Sequence, residues 1–354
     1  MNKLRDRDAI YTKDGFLFRV YGYLHPKEGY VCDPEYALPQ VFVSDNPRAK
    51  RGLNKPKYYK FFADEGVKLI YNKYPKYQVF HEPLQKCVPG VYKADVSEVQ
   101  KPEVGLQRVL KEEPNDALLK ALHDLLGRVI DASGLKDSDF GVFGSLLHDF
   151  YHPDFSDLDF IVYGKQNLDK LCVGLDNLYK EDPSLRNEFD FMSAVESKDW
   201  KFINYSVQDY RWHQRRKMIY AYFESKDAGR IVKAEFEPVK DWREIDNRFN
   251  NFARIYHVGW IKAIVEITDD KEGPFIPSVY QIKIKEILEG PKIENITQIF
   301  SYMEEFRFQA KKGEQALVEG NLEKVIDGTN TFYQITLSYG HKYYEQTFKV
   351  ITEK

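Results

Sequence analysis

The segment that most narrows what this chain can fold into is Asp157-Leu158-Asp159-Phe160-Ile161-Val162-Tyr163-Gly164. It reads as a β-strand that carries two carboxylates at its start. Side chains alternate along a strand, so Asp157 and Asp159 point to the same face. Two carboxylates held side by side repel, which destabilises the fold unless cations neutralise them. Mg²⁺, or Mn²⁺ in its place, is the natural cation, because it accepts one or two carboxylates together with phosphate oxygens and keeps several waters.

An Asp-x-Asp pair alone means little. The chain has two others, Asp6/Asp8 in the charged N-terminus and Asp137/Asp139 in a turn, where acids are common. Only the third has suitable surroundings. Ahead of it, Leu118, Leu119, Leu122, Leu125, Leu126, Val129 and Ile130 recur at helical spacing, with Asn115 expected as the cap and Gly134 as the stop. A short strand, Phe140 to Phe143, then runs into Gly144-Ser145. There a glycine lets the backbone approach a ligand closely, and the serine hydroxyl can grip a phosphate. A second helix is expected at 166–180 and strands at 188–195, 217–223 and 230–237. The last supplies a third acid on a neighbouring strand, Glu235 first and Glu237 second.

His148 and His152, four apart with Asp149 and Asp154 nearby, form a weaker alternative metal pair.

The 354 residues, 43% hydrophobic and 30% charged, suit a folded protein of two or three domains. No stretch approaches the roughly 20 apolar residues of a spanning helix, so no membrane is expected as partner. The N-terminus turns polar at once, and Cys32, Cys87 and Cys172 are too few and too scattered for a disulfide framework or a cysteine zinc site. A reducing cytoplasm is the expected compartment.

Residues 1–110 read as a loop-rich mixed module, with strands at 16–23 and 77–81. Residues 111–245 hold the acids. From 250 to 354 the segments 254–267, 279–288, 305–310, 315–326, 331–338 and 343–351 suggest a small β-barrel or sandwich, OB-like in its general plan. Aromatic residues reach 15%, with 25 Tyr and 24 Phe. In those strands they are core, or on an open barrel face they stack bases.

Net charge is −3, but unevenly spread. The first 110 residues carry 19 Lys+Arg against 13 Asp+Glu, and the remainder 33 against 42. The basic excess gathers at Arg48, Lys50, Arg51, Lys55, Lys57 and Lys60, a stretch able to meet a polyanionic acceptor or to be a solvated loop. Arg215, Arg216 and Lys217 are the basic cluster nearest in sequence to the expected site strands. They suit either triphosphate neutralisation or a strand edge.

The order helix, strand, Gly144-Ser145, eleven residues, Asp157-Leu158-Asp159-Phe160-Ile161-Val162 and a later acid resembles the nucleotidyltransferase superfamily of DNA polymerase β, the CCA-adding enzymes and the minimal nucleotidyltransferases. Ser156 before Asp157 matches the Ser-Asp-x-Asp form of the minimal members. Phe18-Arg19-Val20-Tyr21-Gly22-Tyr23-Leu24-His25-Pro26 and the general layout look similar to an archaeal group of predicted nucleotidyltransferases. Two departures stand out. The family's Ala-Arg-Gly after Gly-Ser is here Leu146-Leu147-His148, and the third acid is glutamate.

The resemblance covers roughly 115–240 and implies an α+β fold, with a nucleotidyltransferase core of mixed sheet and packed helices. It implies Asp157, Asp159 and Glu235 as metal ligands and catalytic acids, with Gly144 and Ser145 under a nucleoside triphosphate. Pyrophosphate would leave in line as an acceptor hydroxyl attacks. RNA is the favoured acceptor. The alternatives are a nucleic-acid-binding module with a vestigial centre, and nucleotidylation of a protein hydroxyl.

Overall fold

The computed structural model describes residues 3–52, 57–196, 202–245, 253–340 and 342–352. The fold is mixed α+β, built on three sheets. The chain divides into two compact units. The first takes residues up to 81, 86–187 and 219–246, and the second takes 82–85, 188–218 and 247 onward.

The first unit holds two sheets. In the N-terminal sheet the main strand order is Lys50–Arg51, Tyr58–Lys60, Gly29–Ala37, Phe16–Val20, Ala9–Thr12, Val96–Gln100. Gly29–Ala37 also pairs Lys86–Tyr92, which pairs Gln78–His81. One face buries Phe16, Phe18, Val20, Phe61, Ile70 and Tyr77. A second, smaller cluster joins Ala9, Leu17 and Tyr36 of this sheet to Leu147 and Phe150 of the acid-bearing region.

The second sheet has the order Leu185–Asn187, Tyr220–Ser225, Arg230–Val239, Leu158–Tyr163, Phe140–Val142. The Leu158–Tyr163 strand, buried along Phe160-Ile161-Val162, is central: it pairs in parallel with Arg230–Val239 and antiparallel with Phe140–Val142. Helices Ala117–Ser133 and Lys165–Glu181 flank it in sequence. The first helix starts one residue later than the sequence suggests. Asp116, not Asn115, is the cap, its carboxylate accepting the Leu119 N–H at 2.9 Å. Gly134 ends it at φ +66, a conformation glycine adopts without a Cβ penalty.

The second unit carries a sheet in the order Arg254–Glu272, Ser278–Glu289, Ile296–Ser301, Asn330–Leu337, Gln315–Asp327, Thr347–Val350, and Arg254–Glu272 pairs again with Gln315–Asp327. The pairing therefore curls back on its first strand, with Ile296–Ser301 and Asn330–Leu337 parallel. Tyr205, Tyr280, Phe306 and Phe348 are buried in its core, so these aromatics are packing residues.

Three strand expectations are corrected. Residues 188–195 form a 3-10 turn, Glu188–Asp190, and a short helix, Ser193–Glu196. Arg211 explains this: its Nε donates to Phe189 O and its Nη2 to Asp190 O, both at 2.6 Å, taking the place of a ladder partner. Residues 305–310 are likewise irregular. The Phe308 N–H donates to Gly273 O at 2.7 Å and the Gln309 N–H to the Tyr280 hydroxyl at 2.8 Å. At 343–351 only Thr347–Val350 is strand, after a 3-10 turn at Tyr343–Glu345. Among the described residues no helix is long and apolar enough to cross a membrane.

Candidate active site

Gly144 leaves the Phe140–Val142 strand at φ +59, and a Cβ placed there would lie 2.7 Å from Asp159 Oδ2. Glycine is thus required twice over, by the backbone and by the carboxylate packed against it. That contact joins Gly144-Ser145 to the Asp pair, twelve residues away in sequence. The backbone repeats the connection, because the Phe143 N–H donates to Asp159 O at 3.0 Å. Ser145 Oγ stands 3.4 Å from Ser156 Oγ, and Ser156 Oγ accepts the His152 N–H at 2.9 Å. The eleven-residue connection therefore folds back on its own start.

Register places the two glutamates. In the parallel pair Asp159 lies opposite Glu235 and Ile161 opposite Glu237, so both glutamates share the Asp159 face. They differ in what they touch. Glu237 is buried, and its Oε2 accepts both Nε and Nη2 of Arg7, at 3.0 and 2.5 Å. Glu235 is half-buried and stands beside Asp159.

Burial and the neighbouring Asp157 charge push the Asp159 carboxyl up to about 7, while Lys60 and Lys233 act in the opposite direction. Burial is the larger of the two causes, and the Asp157 charge adds to it. Among the described residues no group of three or more His, Cys, Asp and Glu stands together as a ready-made metal cluster.

The N-terminal basic stretch divides. Lys55 lies outside the described residues. Arg48, Lys50 and Lys57 are exposed, and Arg51 is half-buried with Nη1 donating to Arg48 O and Lys50 O. Among the described residues of this stretch, Lys60 is the one whose charge is felt at Asp159. Arg215, Arg216 and Lys217 belong to the second unit and are engaged within it. Arg215 pairs with Asp190 at 2.5 Å and Arg216 with Glu314 at 2.5 Å, while the buried Lys217 donates to Glu305 O at 2.7 Å.

His148 packs against Tyr11 and Tyr36 of the N-terminal sheet. Its Nδ1 is 2.8 Å from the Tyr11 hydroxyl, and burial pushes its imidazole down to about 3.

Sequence reasoning missed the N-terminal residues Arg5 to Asp8. Far from being a solvated charged end, all four are buried: Asp6 Oδ1 accepts the Gly22 N–H at 2.8 Å and Arg5 Nη1 donates to Lys240 O at 3.2 Å. Arg230 was missed as well. Its Nη2 donates to Ser156 O at 2.8 Å and Pro153 O at 3.3 Å, bracing the loop just ahead of Asp157.

The comparisons agree with this geometry. An uncharacterized protein of Methanocaldococcus jannaschii is 26% identical over 339 residues, which is 94% of each chain. The likeness thus runs through the N-terminal and C-terminal parts as well as the acid-bearing region. No solved structure matches. Residues 122–252 match the family model described as a nucleotidyltransferase domain, a span that takes in Gly144-Ser145, Asp157, Asp159, Glu235 and Glu237. By that match, and with the acids arranged as above, this chain carries a nucleotidyltransferase domain.

Proposed function

We propose that the chain transfers a nucleoside monophosphate from a nucleoside triphosphate to an acceptor hydroxyl, with Mg²⁺ or Mn²⁺ as cofactor and RNA as the favoured acceptor. The observation that carries this reading is the packing of Asp159 against Gly144, which brings a phosphate cradle to a carboxylate pair. Asp157 and Asp159 fit a hard divalent cation: they are two oxygen donors whose mutual repulsion it would relieve, with phosphate and water to fill its other positions. Such an ion supplies charge neutralisation at the reacting phosphate.

Gly144 and Ser145 receive the triphosphate, and Asp157 and Asp159 would hold a cation that neutralises its charge. Glu235, the acid in register with Asp159, is the third member of the set. The acceptor oxygen forms its bond to the α-phosphorus as the bond to the bridging oxygen breaks. Pyrophosphate keeps that electron pair, and the hydroxyl proton passes to solvent.

Two features favour a nucleic acid as acceptor. Arg48, Lys50 and Lys57 are exposed on the first unit, with Lys55 in the same stretch of sequence. The second unit's curled sheet suits the partly open five-stranded barrel of OB-type domains. A cytoplasmic setting suits both substrates.

The test is incubation with each labelled triphosphate, Mg²⁺ or Mn²⁺ and total cell extract, asking whether label enters RNA, protein or a small molecule. Asp157→Asn and Asp159→Asn should each abolish incorporation while the protein stays folded. Full activity in both would sink the site assignment. Label in protein would replace RNA by a protein hydroxyl. Salt-sensitive RNA binding with no transfer would leave a binding module.

A further inference from the structure

We propose that Lys60, carried by the N-terminal sheet, is the side chain that binds the β- and γ-phosphates of the nucleotide at the Gly144-Ser145 end of the site. The proposal rests on the nucleotidyl-transfer reading and names a residue outside the matched domain as part of its machinery.

The geometry starts from register. Tyr36 and Lys60 are direct partners in the antiparallel pair of Gly29–Ala37 with Tyr58–Lys60, so their side chains share a face. The Tyr36 ring shows where that face points. Its centroid is 4.9 Å from the Phe150 ring and 5.8 Å from His148. Both belong to the segment that leaves Gly144-Ser145, and the Phe150 N–H donates to Ser145 O at 3.2 Å. Tyr58, on the same short strand as Lys60, packs on Phe150 as well, at 5.6 Å. The N-terminal sheet is therefore seated against the Gly-Ser turn, and Lys60 stands on the seated face.

Charge completes the argument. Lys60 is half-buried, and among the described residues it makes no ion pair within 4 Å. Glu35, whose carboxyl feels the Lys60 charge, is already paired with Arg19 at 3.5 Å. Lys60 thus lacks a close counter-charge among the described residues. A polyanion laid across Gly144-Ser145 would supply that charge, and a lysine meets phosphate as a point charge.

The experiment uses the full chain and measures equilibrium binding, in Mg²⁺, of inorganic tripolyphosphate, of each nucleoside triphosphate and of each nucleoside monophosphate. Lys60→Gln should weaken tripolyphosphate and triphosphate binding about tenfold or more, as loss of one charge-assisted contact implies. It should leave monophosphate binding within about twofold, since that ligand lacks the β- and γ-phosphates. Lys60→Arg, which keeps the charge, should restore most of the lost affinity. A thermal melt matching the parent shows that the variants are folded.

Unchanged triphosphate binding in Lys60→Gln would overturn the assignment, and so would a loss confined to RNA binding. A parent protein that binds neither tripolyphosphate nor any triphosphate would overturn the transfer reading itself, and this inference with it.

Discussion

Arg7 and Glu237 form a buried, two-pronged contact, with Nε and Nη2 of the guanidinium both donating to Oε2, at 3.0 and 2.5 Å. Two residues 230 positions apart thus tie the start of the chain to the strand of Glu235 and Glu237. The contact also gives the two glutamates different surroundings. Glu237 is committed to Arg7, whereas Glu235 stands in register beside Asp159. Glu235→Gln should therefore lower kcat by about 100-fold or more with little change in melting temperature, as loss of a transition-state contact does. Arg7→Met should instead cost about 3–5 kcal/mol of stability, because it strands a buried carboxylate. Parallel kinetics and denaturant melts decide it, and equal, mild kinetic losses for Glu235→Gln and Glu237→Gln would remove Glu235 from the third-acid role.

Gly144→Ala tests the cradle. The added Cβ would meet Asp159 Oδ2 at 2.7 Å, and the residue must also hold φ +59. An L-residue in that conformation costs about 1–2 kcal/mol. The larger effect should be kinetic, since displacing Asp159 by about 1 Å is enough to lower kcat about 100-fold. A variant that melts slightly early and still turns over at the parent rate would show that the carboxylate is not held by this contact.

Much of this centre was legible from the chain, for definite reasons. The Leu158–Tyr163 strand announces itself because an unbroken apolar run follows Asp159, although Asp157 lies just ahead of the strand rather than in it, and the Ala117–Ser133 helix because its leucines keep helical spacing. What stayed hidden was whatever depends on distant partners. Arg5, Asp6, Arg7 and Asp8 look like a solvated end, and distant partners such as Gly22, Lys101, Glu237 and Lys240 make their burial tolerable. The alternation at 188–195 imitates a strand, yet Arg211 takes two of its carbonyls. The basic stretch could not be divided without the register that puts Lys60 beside Tyr36.

The acid pair should make stability depend on pH. Burial, with the Asp157 charge second, raises the Asp159 carboxyl to about 7 from an ordinary 3.8. The folded state then holds this proton more tightly than the unfolded state, so stability falls as pH rises from about 4 to about 7, and the loss is complete above that. Asp159→Asn removes the penalty. Its melting temperature should match the parent near pH 4 and exceed it by several degrees at pH 8, a gain on the order of 2 kcal/mol once partial exposure is discounted. Mg²⁺ at pH 8 should narrow the gap by stabilising only the parent. A variant that melts at or below the parent at pH 8 would contradict the repulsion on which the cation site is argued.

Arg230 supports Asp157 without belonging to the acid set. Its Nη2 bridges Ser156 O and Pro153 O, at 2.8 and 3.3 Å, while the His152 N–H closes the same loop on Ser156 Oγ. Asp157 is exposed, so the loop must hold the aspartate's backbone in place. Arg230→Lys keeps the charge but replaces a planar fork with a single ammonium, which cannot reproduce the guanidinium's geometry. The expected result is a several-fold rise in the Mg²⁺ concentration needed for half-maximal transfer, with kcat at saturating Mg²⁺ down by less than about tenfold. Amide exchange at 153–157 should quicken while the melting temperature stays within a few degrees of the parent. A residue that merely stabilised the fold would shift the melt and leave the Mg²⁺ requirement where it was. That outcome would reduce Arg230 to a packing contact, whereas a selective change in Mg²⁺ dependence places it behind Asp157 as the side chain that sets its position.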